Sequence, residues 1–356
     1  MSYRDVFSEI MSYGTFDHMP AVHWHAWDET IERWHKEGLK PGQDIHELLG
    51  TTPHWSNVQC NVNLFPAFDE ETFEETDEYR IFRDGDGVVC QAWKHASSIP
   101  RFTDFTLKEA KDWPEYKKRL QPDPARVSPD LDNHVADAEA SGLPIAVGVG
   151  SLMGWIRNWM GVENMSYLMY DDLDCYADMV DTIADLSCWS IDQILPRMNV
   201  KPTFGFGWED ICGKSGPLVS PSIFDRCVAP GYTKIRNKLE EYGIHMLGID
   251  SDGDITDLIG HWLDAGVNIQ FPIEVGTWKA DGMAFRKQYG RDLRIIGHFN
   301  KLTLEQGPDA VDAEIERLIP LMKDGGFLMM PDHLITPGTS LESYIWYCRR
   351  VRKIRL

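Results

Sequence analysis

The chain has 356 residues, of which 43% are hydrophobic and 26% charged, the proportions of a globular protein with a sizeable core. Lys and Arg number 35 and Asp and Glu number 56, so the formal net charge at pH 7 is −21. Because this charge repels phosphate backbones and anionic lipid surfaces, it argues against nucleic acid and membranes as partners.

The sequence has no targeting or membrane signal. No apolar run approaches the roughly 20 residues needed to span a bilayer, and residues 1–20 lack the apolar core of a signal peptide. The seven cysteines are odd in number and include no CxxC pair, which favours reduced thiols over a disulfide framework or a zinc ribbon. We therefore expect a cytoplasmic protein.

The first predicted elements form one βα unit. Residues 21–25 read AVHWH and predict a short strand. Asp28 is a suitable N-cap for the amphipathic helix that follows, and Gly38 is a suitable stop for it.

Residues 50–135 do not continue this βα pattern. Within them, residues 79–84 (YRIFRD) and 87–95 (GVVCQAWKH) lie on either side of a Gly-Asp-Gly turn, which predicts a β-hairpin, and a polar, Pro-rich stretch follows. We interpret residues 50–135 as a hairpin and loop excursion within one domain that spans residues 1–356.

From residue 145 onward, short apolar runs alternate with amphipathic helices, predicted at 220–243, 251–266 and 309–326. Such alternation specifies a parallel sheet. Together with residues 21–25, these runs account for seven of the eight strands of a (β/α)8 TIM barrel. The later runs start at residue 145 (IAVGVG), 203 (TFGFGW), 244 (IHMLGI), 267 (VNIQFPI), 293 (LRIIGHF) and 327 (FLMMP).

Polar side chains follow most of these predicted strands directly. In a barrel the carboxyl ends of all strands meet on one face, where catalytic residues are found. Any one of these residues could equally be a loop cap, so the shared position is more informative than its members. The residues are Glu209, Asp210, Asp250, Asp252, Glu274, His298, Asn300, Asp332 and His333.

Aromatic and histidine side chains near strand ends are candidates for a substrate pocket. Trp24, Trp27 and Trp208 could line an apolar pocket for an aromatic ring or face a flat corrin. His23 and His25 lie on the same side of a strand, and His25 is nearer the rim. Trp155 and Trp159 have helical spacing, which is more typical of core residues.

Several stretches together resemble the uroporphyrinogen decarboxylase-like superfamily over essentially the whole chain. They include residues 217–235 (PLVSPSIFDRCVAPGYTKI), 250–259 (DSDGDITDLI) and 295–344. Residues 23–39 (HWHAWDETIERWHKEGL) and 158–172 (NWMGVENMSYLMYDD) look more like the corrinoid-dependent methyltransferases of that superfamily than its decarboxylases. The resemblance implies a (β/α)8 barrel that moves a methyl group to or from the cobalt of a corrinoid.

The chain departs from two motifs of the superfamily. The decarboxylases carry an arginine-rich FMRQAGR-like segment after the first strand, where this chain reads VHWHAWDET. The thiol methyltransferases bind zinc through an HxC motif and a later Cys, where this chain has Asp250 and Asp252, then Asp332 and His333. A centre without thiolates is harder, which favours an ether oxygen over a thiol as the group to be activated.

These departures lead to an assignment of roles. We expect Asp250, Asp252 and His333 to hold Zn²⁺ or another divalent cation, or alternatively to donate a proton to the leaving oxygen; a cluster that only braces loops is the other possibility. The predicted catalytic residues are Asp252, His333 and Glu209. The predicted substrate-binding residues are Trp24, His25, Trp27, Trp208, His298 and Asn300.

The function predicted from these features is O-demethylation. A small-molecule methyl donor, such as an aryl methyl ether, would pass its methyl group to Co(I) on a separate corrinoid carrier protein, since no DxHxxG cobalamin segment is present here. Two alternatives stay open. One is transfer from a methyl-corrinoid to a thiol or tetrahydrofolate, and the other is a non-catalytic barrel subunit of a methyltransferase complex.

Overall fold

The computed structural model describes residues 2–95 and 99–356. Helices and strands alternate through most of this range. In chain order the strands are β1 (Ser56–Val58), β2 (Glu71–Glu75), β3 (Tyr79–Arg83), β4 (Val88–Trp93), β5 (Arg101–Phe105), β6 (Ile145–Gly150), β7 (Phe204–Trp208), β8 (Cys212–Gly213), β9 (Gly216–Pro217), β10 (Leu247–Asp250), β11 (Ile269–Phe271), β12 (Arg294–Phe299) and β13 (Phe327–Pro331).

The α-helices alternate with the strands along much of the chain. In chain order they are α1 (Tyr3–Met11), α2 (Asp28–Glu37), α3 (Ile45–Leu49), α4 (Trp113–Arg119), α5 (Leu131–Ala140), α6 (Gly154–Asp171), α7 (Leu173–Ile194), α8 (Pro221–Ile223), α9 (Ala229–Glu241), α10 (Ile259–Asp264), α11 (Val275–Trp278), α12 (Gly282–Tyr289), α13 (Pro308–Asp324) and α14 (Leu341–Val351). None of these helices in the described part of the chain is both long and apolar enough to cross a bilayer.

The largest sheet is parallel and has seven strands, in the order β1-β6-β7-β10-β11-β12-β13. Buried apolar side chains from this sheet and from the helices on it form a cluster that extends from Val6 to Ile354. The parallel sheet confirms the predicted α/β fold. Closure into an eight-stranded barrel stays a prediction.

Residues 21–25 form no regular strand, so the prediction of a first strand there is wrong. Val22 makes an isolated parallel bridge to Thr52, and Ala26 makes another to Ile335. The two bridges are four residues apart and have different partners, so the segment does not form continuous strand pairing with either partner. Because Thr52 precedes β1 and Ile335 follows β13, this segment lies near both outer strands of the sheet.

The predicted hairpin is present as β3 and β4, within an antiparallel sheet of order β2-β3-β4-β5. Three residues of the predicted excursion, 96–98, lie outside the described part of the chain. Strand β1 also lies inside residues 50–135, yet it pairs with β6 in the main sheet, with Ser56 opposite Ile145. Sequence analysis missed β1 because Ser-Asn-Val has neither an apolar run nor strict alternation.

Two predicted helices differ from those observed. Asp28 is the first residue of α2, and Trp27 occupies the cap position. The helix predicted over 251–266 is reduced to α10, because the side chain of Asp254 accepts a hydrogen bond from the backbone N–H of Thr256 (3.0 Å) and forms a local turn. The helix predicted after Ser220 is present, and the Ser220 hydroxyl caps it.

A buried arginine holds the loop that follows β1. The guanidinium of Arg126 donates hydrogen bonds to the carbonyl oxygens of Asn61 (3.0 Å), Asn63 (2.7 Å) and Gln121 (2.9 Å), and also to that of Arg119. Arg126 is only 2% exposed. Its planar fork therefore fixes the course of a loop with few backbone hydrogen bonds of its own.

We expect Arg126→Ala to lower the free energy of unfolding by about 3 kcal/mol, because buried carbonyl groups lose their charged donor. Urea denaturation followed by far-UV circular dichroism measures this loss. Arg101→Ala, at an exposed position on β5, is the matched control and should change stability by less than about 0.5 kcal/mol. An equal effect of the two substitutions would contradict the anchoring role.

Candidate functional site

A pocket of about 890 Å³ lies at the carboxyl ends of β1, β6, β7 and β10. One wall is the loop that follows β1, and a second wall is the β3–β4 turn at residues 85–86. Trp155 of α6 contributes to the lining, as do the last residues of β7 and Asp250 of β10. The pocket thus lies at the sheet edge where parallel α/β folds bind ligands.

Asp250 and Trp208 reach this pocket from neighbouring strands. The two residues are paired in register between β10 and β7. Paired residues of adjacent strands point to the same face of a sheet, and Phe206, two residues before Trp208, shares that face. All three side chains line the pocket.

The carboxyl group of Asp250 has no hydrogen-bond partner within the described part of the chain. Burial is the main cause that raises its pKa well above the ordinary value, and the nearby charges of Asp252, Asp210 and Glu274 raise it further. These surroundings favour the protonated form of the carboxyl over the charged form. In that form Asp250 offers an O–H donor to the pocket.

Asp210 and Asp252 lie close to Asp250 and interact with each other. Burial and the charge of Asp252 raise the pKa of Asp210, while Arg157 opposes this effect. The Arg157 guanidinium lies 3.7 Å from an Asp210 carboxylate oxygen and also donates a hydrogen bond to the Asp210 carbonyl oxygen. Arg157 thus partly compensates the charge of Asp210.

His333 and two of the predicted tryptophans join Asp252 next to the pocket. The Nε2 of His333 is 3.1 Å from an Asp252 carboxylate oxygen. The ring of Trp27 stacks on the His333 ring with a centroid separation of 6.4 Å, and the Trp24 ring meets it edge-on at 6.3 Å. The second Asp252 oxygen is buried without a partner among the described residues.

The predicted metal ligands are near one another but are not arranged as a ligand set. In the described residues, no group of three or more His, Cys, Asp or Glu side chains is placed so that it could hold a metal ion. The imidazole Nε2 of His333 is directed to Asp252 instead. Asp250, Asp252 and His333, as they are placed, do not fit a metal centre.

Glu209, predicted to be catalytic, is completely buried below the pocket. Its carboxylate accepts hydrogen bonds from the backbone N–H groups of residues 152–154 at 2.7–3.2 Å, and from the hydroxyls of Ser151 (3.1 Å) and Tyr232. Burial raises the pKa of Glu209, and these donors oppose that shift. The geometry favours a role in holding the start of α6.

His298, predicted to bind substrate, is also completely buried. Its Nδ1 donates to the carbonyl oxygen of Ile273 (3.1 Å), and its Nε2 accepts from the backbone N–H of Gly282 (2.9 Å). Burial lowers the pKa of His298 to about 4, so the ring is neutral. Both ring nitrogens are thus used within the protein, an arrangement that favours a structural role.

Asn300, the other predicted substrate-binding residue after β12, caps a short turn. Its side-chain oxygen accepts a hydrogen bond from the backbone N–H of Leu302 (3.1 Å), and its own N–H donates to Glu314 (2.9 Å). These contacts again favour a structural role.

Asp332 and Glu274 are bonded to backbone groups of neighbouring loops. Asp332 accepts hydrogen bonds from the backbone N–H groups of Val275 (2.6 Å) and Lys301 (2.9 Å). Glu274 accepts from the backbone N–H of Gly253 (3.1 Å) and forms an ion pair with Lys301 (3.4 Å). Both carboxylates therefore brace the loops around Asp250.

His25 is exposed, in contrast to His23, which is buried against the hydroxyl of Tyr344 (2.8 Å from Nδ1). The His25 ring lies 5.6 Å from the Trp24 ring and 5.8 Å from the His54 ring. It belongs to the side of the site formed by Trp24 and His333. Its predicted contact with substrate stays a prediction.

Sequence analysis did not assign a role to Gln59, Asp86 or Trp155, which all line the pocket. Gln59 follows β1, so the strand-end signal would have applied if that strand had been recognised. The helical spacing of Trp155 and Trp159 is more typical of core residues, so it does not indicate a pocket position for Trp155. Asp86 lies in a hairpin turn, where acidic residues are common for local reasons.

Comparisons with known proteins identify relatives of the chain. The model of the family described as uroporphyrinogen decarboxylase (URO-D) matches residues 97–354. Among solved structures, a methyltransferase from Methanosarcina mazei is similar over 99% of this chain and 98% of that chain, with a TM-score of 0.64 and 14% identity. At this identity the likeness establishes a shared fold alone. No curated protein matches the sequence.

The neutral, buried state of His298 predicts a pH-dependent loss of stability. In the unfolded chain a histidine binds a proton below about pH 6.5, whereas folded His298 does so only below about 4. Because the unfolded state binds more protons between these values, this residue lowers stability as the pH falls through them. From pH 7 to pH 5 the contribution is about 2 kcal/mol.

The measurement compares urea denaturation of the wild-type protein and His298→Asn at both pH values. Asn tolerates the left-handed backbone of this position (φ 61°). We expect the variant to be less stable at pH 7 and the difference to shrink at pH 5. The exposed His134→Asn on α5 is the control, with no such change. A constant difference for His298→Asn would refute the neutral buried state.

Proposed function

The chain belongs to the uroporphyrinogen decarboxylase family, and we propose that it is a methyltransferase that demethylates a methyl ether bound in the pocket. The methyl group passes to Co(I) of a separate corrinoid protein, which supplies the nucleophile. The similarity to the Methanosarcina mazei methyltransferase supports the assignment to methyl transfer. The observation that carries the proposal is the carboxyl of Asp250, which lines the pocket without a hydrogen-bond partner in the described residues and whose pKa is raised by burial.

The carboxyl of Asp250 can protonate the leaving oxygen, whose poor leaving-group ability is the main obstacle to ether demethylation. When the bond between the methyl carbon and the oxygen breaks, its electron pair stays on the oxygen, and an unprotonated phenolate or alkoxide is a poor leaving group. A proton from Asp250 neutralises this developing charge. The products are the methylated acceptor, a hydroxyl on the demethylated donor and the Asp250 carboxylate, which regains a proton from solvent.

Neighbouring side chains prepare Asp250 and hold the donor. Burial raises the pKa of Asp250, and the nearby charges of Asp252 and Asp210 raise it further, so these two residues act as positioning residues through electrostatics. Trp208 and Trp155 lie edge to face with ring centroids 6.4 Å apart, and their faces suit an aromatic ring of the donor. His333, bonded to Asp252, places Trp24 and Trp27 beside the same acids.

The proton-donor form of the predicted electrophilic centre is therefore preferred over the metal form. Among the described residues, the donor atoms of Asp250, Asp252 and His333 do not form a group that could hold a metal ion. Incubation with reduced cobalamin and methyl ethers also separates this function from its alternatives. If methyl groups pass only from methylcobalamin to a thiol or tetrahydrofolate, the result would favour the second half-reaction. If there is no turnover in either direction, it would favour a non-catalytic subunit.

We expect Asp250→Asn to lower kcat for demethylation of an unactivated aryl methyl ether by about 10²–10⁴-fold, the range for loss of a general acid. The absorbance of methylated cobalamin follows the reaction. For 4-nitroanisole, whose leaving group needs less help from a proton, the same substitution should cost much less.

Asp257→Asn is the matched control, since Asp257 is exposed in the loop that follows β10. It should retain the wild-type kcat for both ethers. Equal losses for the two ethers in Asp250→Asn would indicate that Asp250 positions the donor without giving it a proton. Full activity in Asp250→Asn would refute the proposed mechanism.

We also expect no decarboxylation of uroporphyrinogen, despite the family of the chain. The four acetate carboxylates of that substrate require cationic partners, yet the described lining of the pocket contains no Lys, Arg or His. The measurement is coproporphyrinogen formation, detected by porphyrin fluorescence after oxidation, with a heme-pathway decarboxylase as positive control. Formation at enzyme-like rates would contradict the methyltransferase assignment.

A further inference from the structure

The charged side chains that line the pocket in the described residues are acidic. Two acidic side chains line it, Asp86 from the β3–β4 turn and Asp250 from the end of β10, and no basic side chain lines it within the described residues. The remaining polar lining is made of carboxamides, whose oxygens add acceptors. These are Asn57, Gln59, Asn61 and Asn63.

Asp86 provides the negative charge on the hairpin wall. It lies in the turn between β3 and β4, and its backbone oxygen accepts a hydrogen bond from the Tyr116 hydroxyl (2.8 Å), which ties the turn to α4. Burial and the charge of Asp84 raise the pKa of Asp86 to about 6. At pH 7.5 Asp86 is therefore mostly ionised.

Arginines on the surrounding elements do not neutralise Asp86. Arg157 is paired with Asp210, and Arg119 is paired with Glu115 at 2.9 Å. The carboxylate of Asp86 thus faces the pocket together with aromatic rings and amide oxygens. Carboxylates and aromatic faces both attract cations, and both disfavour anions.

We propose, on the basis of the function proposed above, that the donor is an aromatic methyl ether without a carboxylate, and that an ammonium group on it improves binding. The ammonium group pairs with Asp86 on the hairpin wall. The ether oxygen then lies toward Asp250 on the sheet wall, with the ring packed against the Trp155 and Trp208 pair. Carboxylated methoxyarenes are rejected because Asp86 repels them.

Three ligands that differ only in charge test this inference. They are 4-hydroxy-3-methoxybenzylamine, 4-hydroxy-3-methoxybenzyl alcohol and 4-hydroxy-3-methoxybenzoate, titrated into the full chain by isothermal calorimetry at pH 7.5. We expect the amine to bind most tightly and the benzoate at least about tenfold more weakly than the alcohol, the size expected for one nearby charge. No methyl acceptor is needed.

Asp86→Asn should bring the three dissociation constants within about threefold of each other, since the charge that separates them is removed. Asp77→Asn is the control, because Asp77 is exposed in the β2–β3 turn at the other end of the same hairpin. It removes the same charge and should preserve the wild-type order. The wild-type series still tests the inference if Asp86→Asn does not fold.

The outcomes separate this inference from the proposed function. Benzoate binding as tight as that of the alcohol would overturn the inference, and so would the absence of binding by all three ligands at millimolar concentration. The predicted binding order without any methyl transfer to reduced cobalamin would refute the function and keep the charge selectivity. Turnover that favours the benzoate would keep the function and refute the selectivity.

Discussion

The structure around the site depends on how buried carboxyl groups are compensated at one edge of a parallel sheet. Glu209 is compensated by the backbone N–H groups at the start of α6, and Asp332 by those of two loops. These acids therefore hold helices and loops in place. Asp250 lacks such donors in the described part of the chain, so burial raises its pKa and its carboxyl stays available for chemistry.

The pocket depends on two further constraints that lie outside the sheet. Arg126 donates hydrogen bonds to carbonyl groups of the loop after β1, and this loop forms one wall. The hydroxyl of Tyr116 fixes the hairpin turn that forms the other wall and carries Asp86. A site with an acid on each wall thus requires the excursion as well as the sheet, since neither supplies both acids.

Much of the fold could be predicted from sequence because strand and helix periods are local properties. The runs at 145, 203 and 327 became strands, and Ser220 capped a helix as predicted. The strand predicted at residues 21–25 is absent, because the backbone partners of this segment, Thr52 and Ile335, lie far away in sequence and are not local properties. Strand β1 could not be predicted because its three residues are too few to show the two-residue alternation of a strand.

The roles of individual site residues were harder to predict than their positions. Glu209 and Asp250 both stand at the end of a predicted strand, yet one has several donors and the other has none in the described residues. The difference arises from where the start of α6 lies relative to each carboxyl, which strand-end patterns do not encode. Asp250 receives no donor from a helix start or from a loop in the described residues, and this distinguishes it from Glu209 and Asp332.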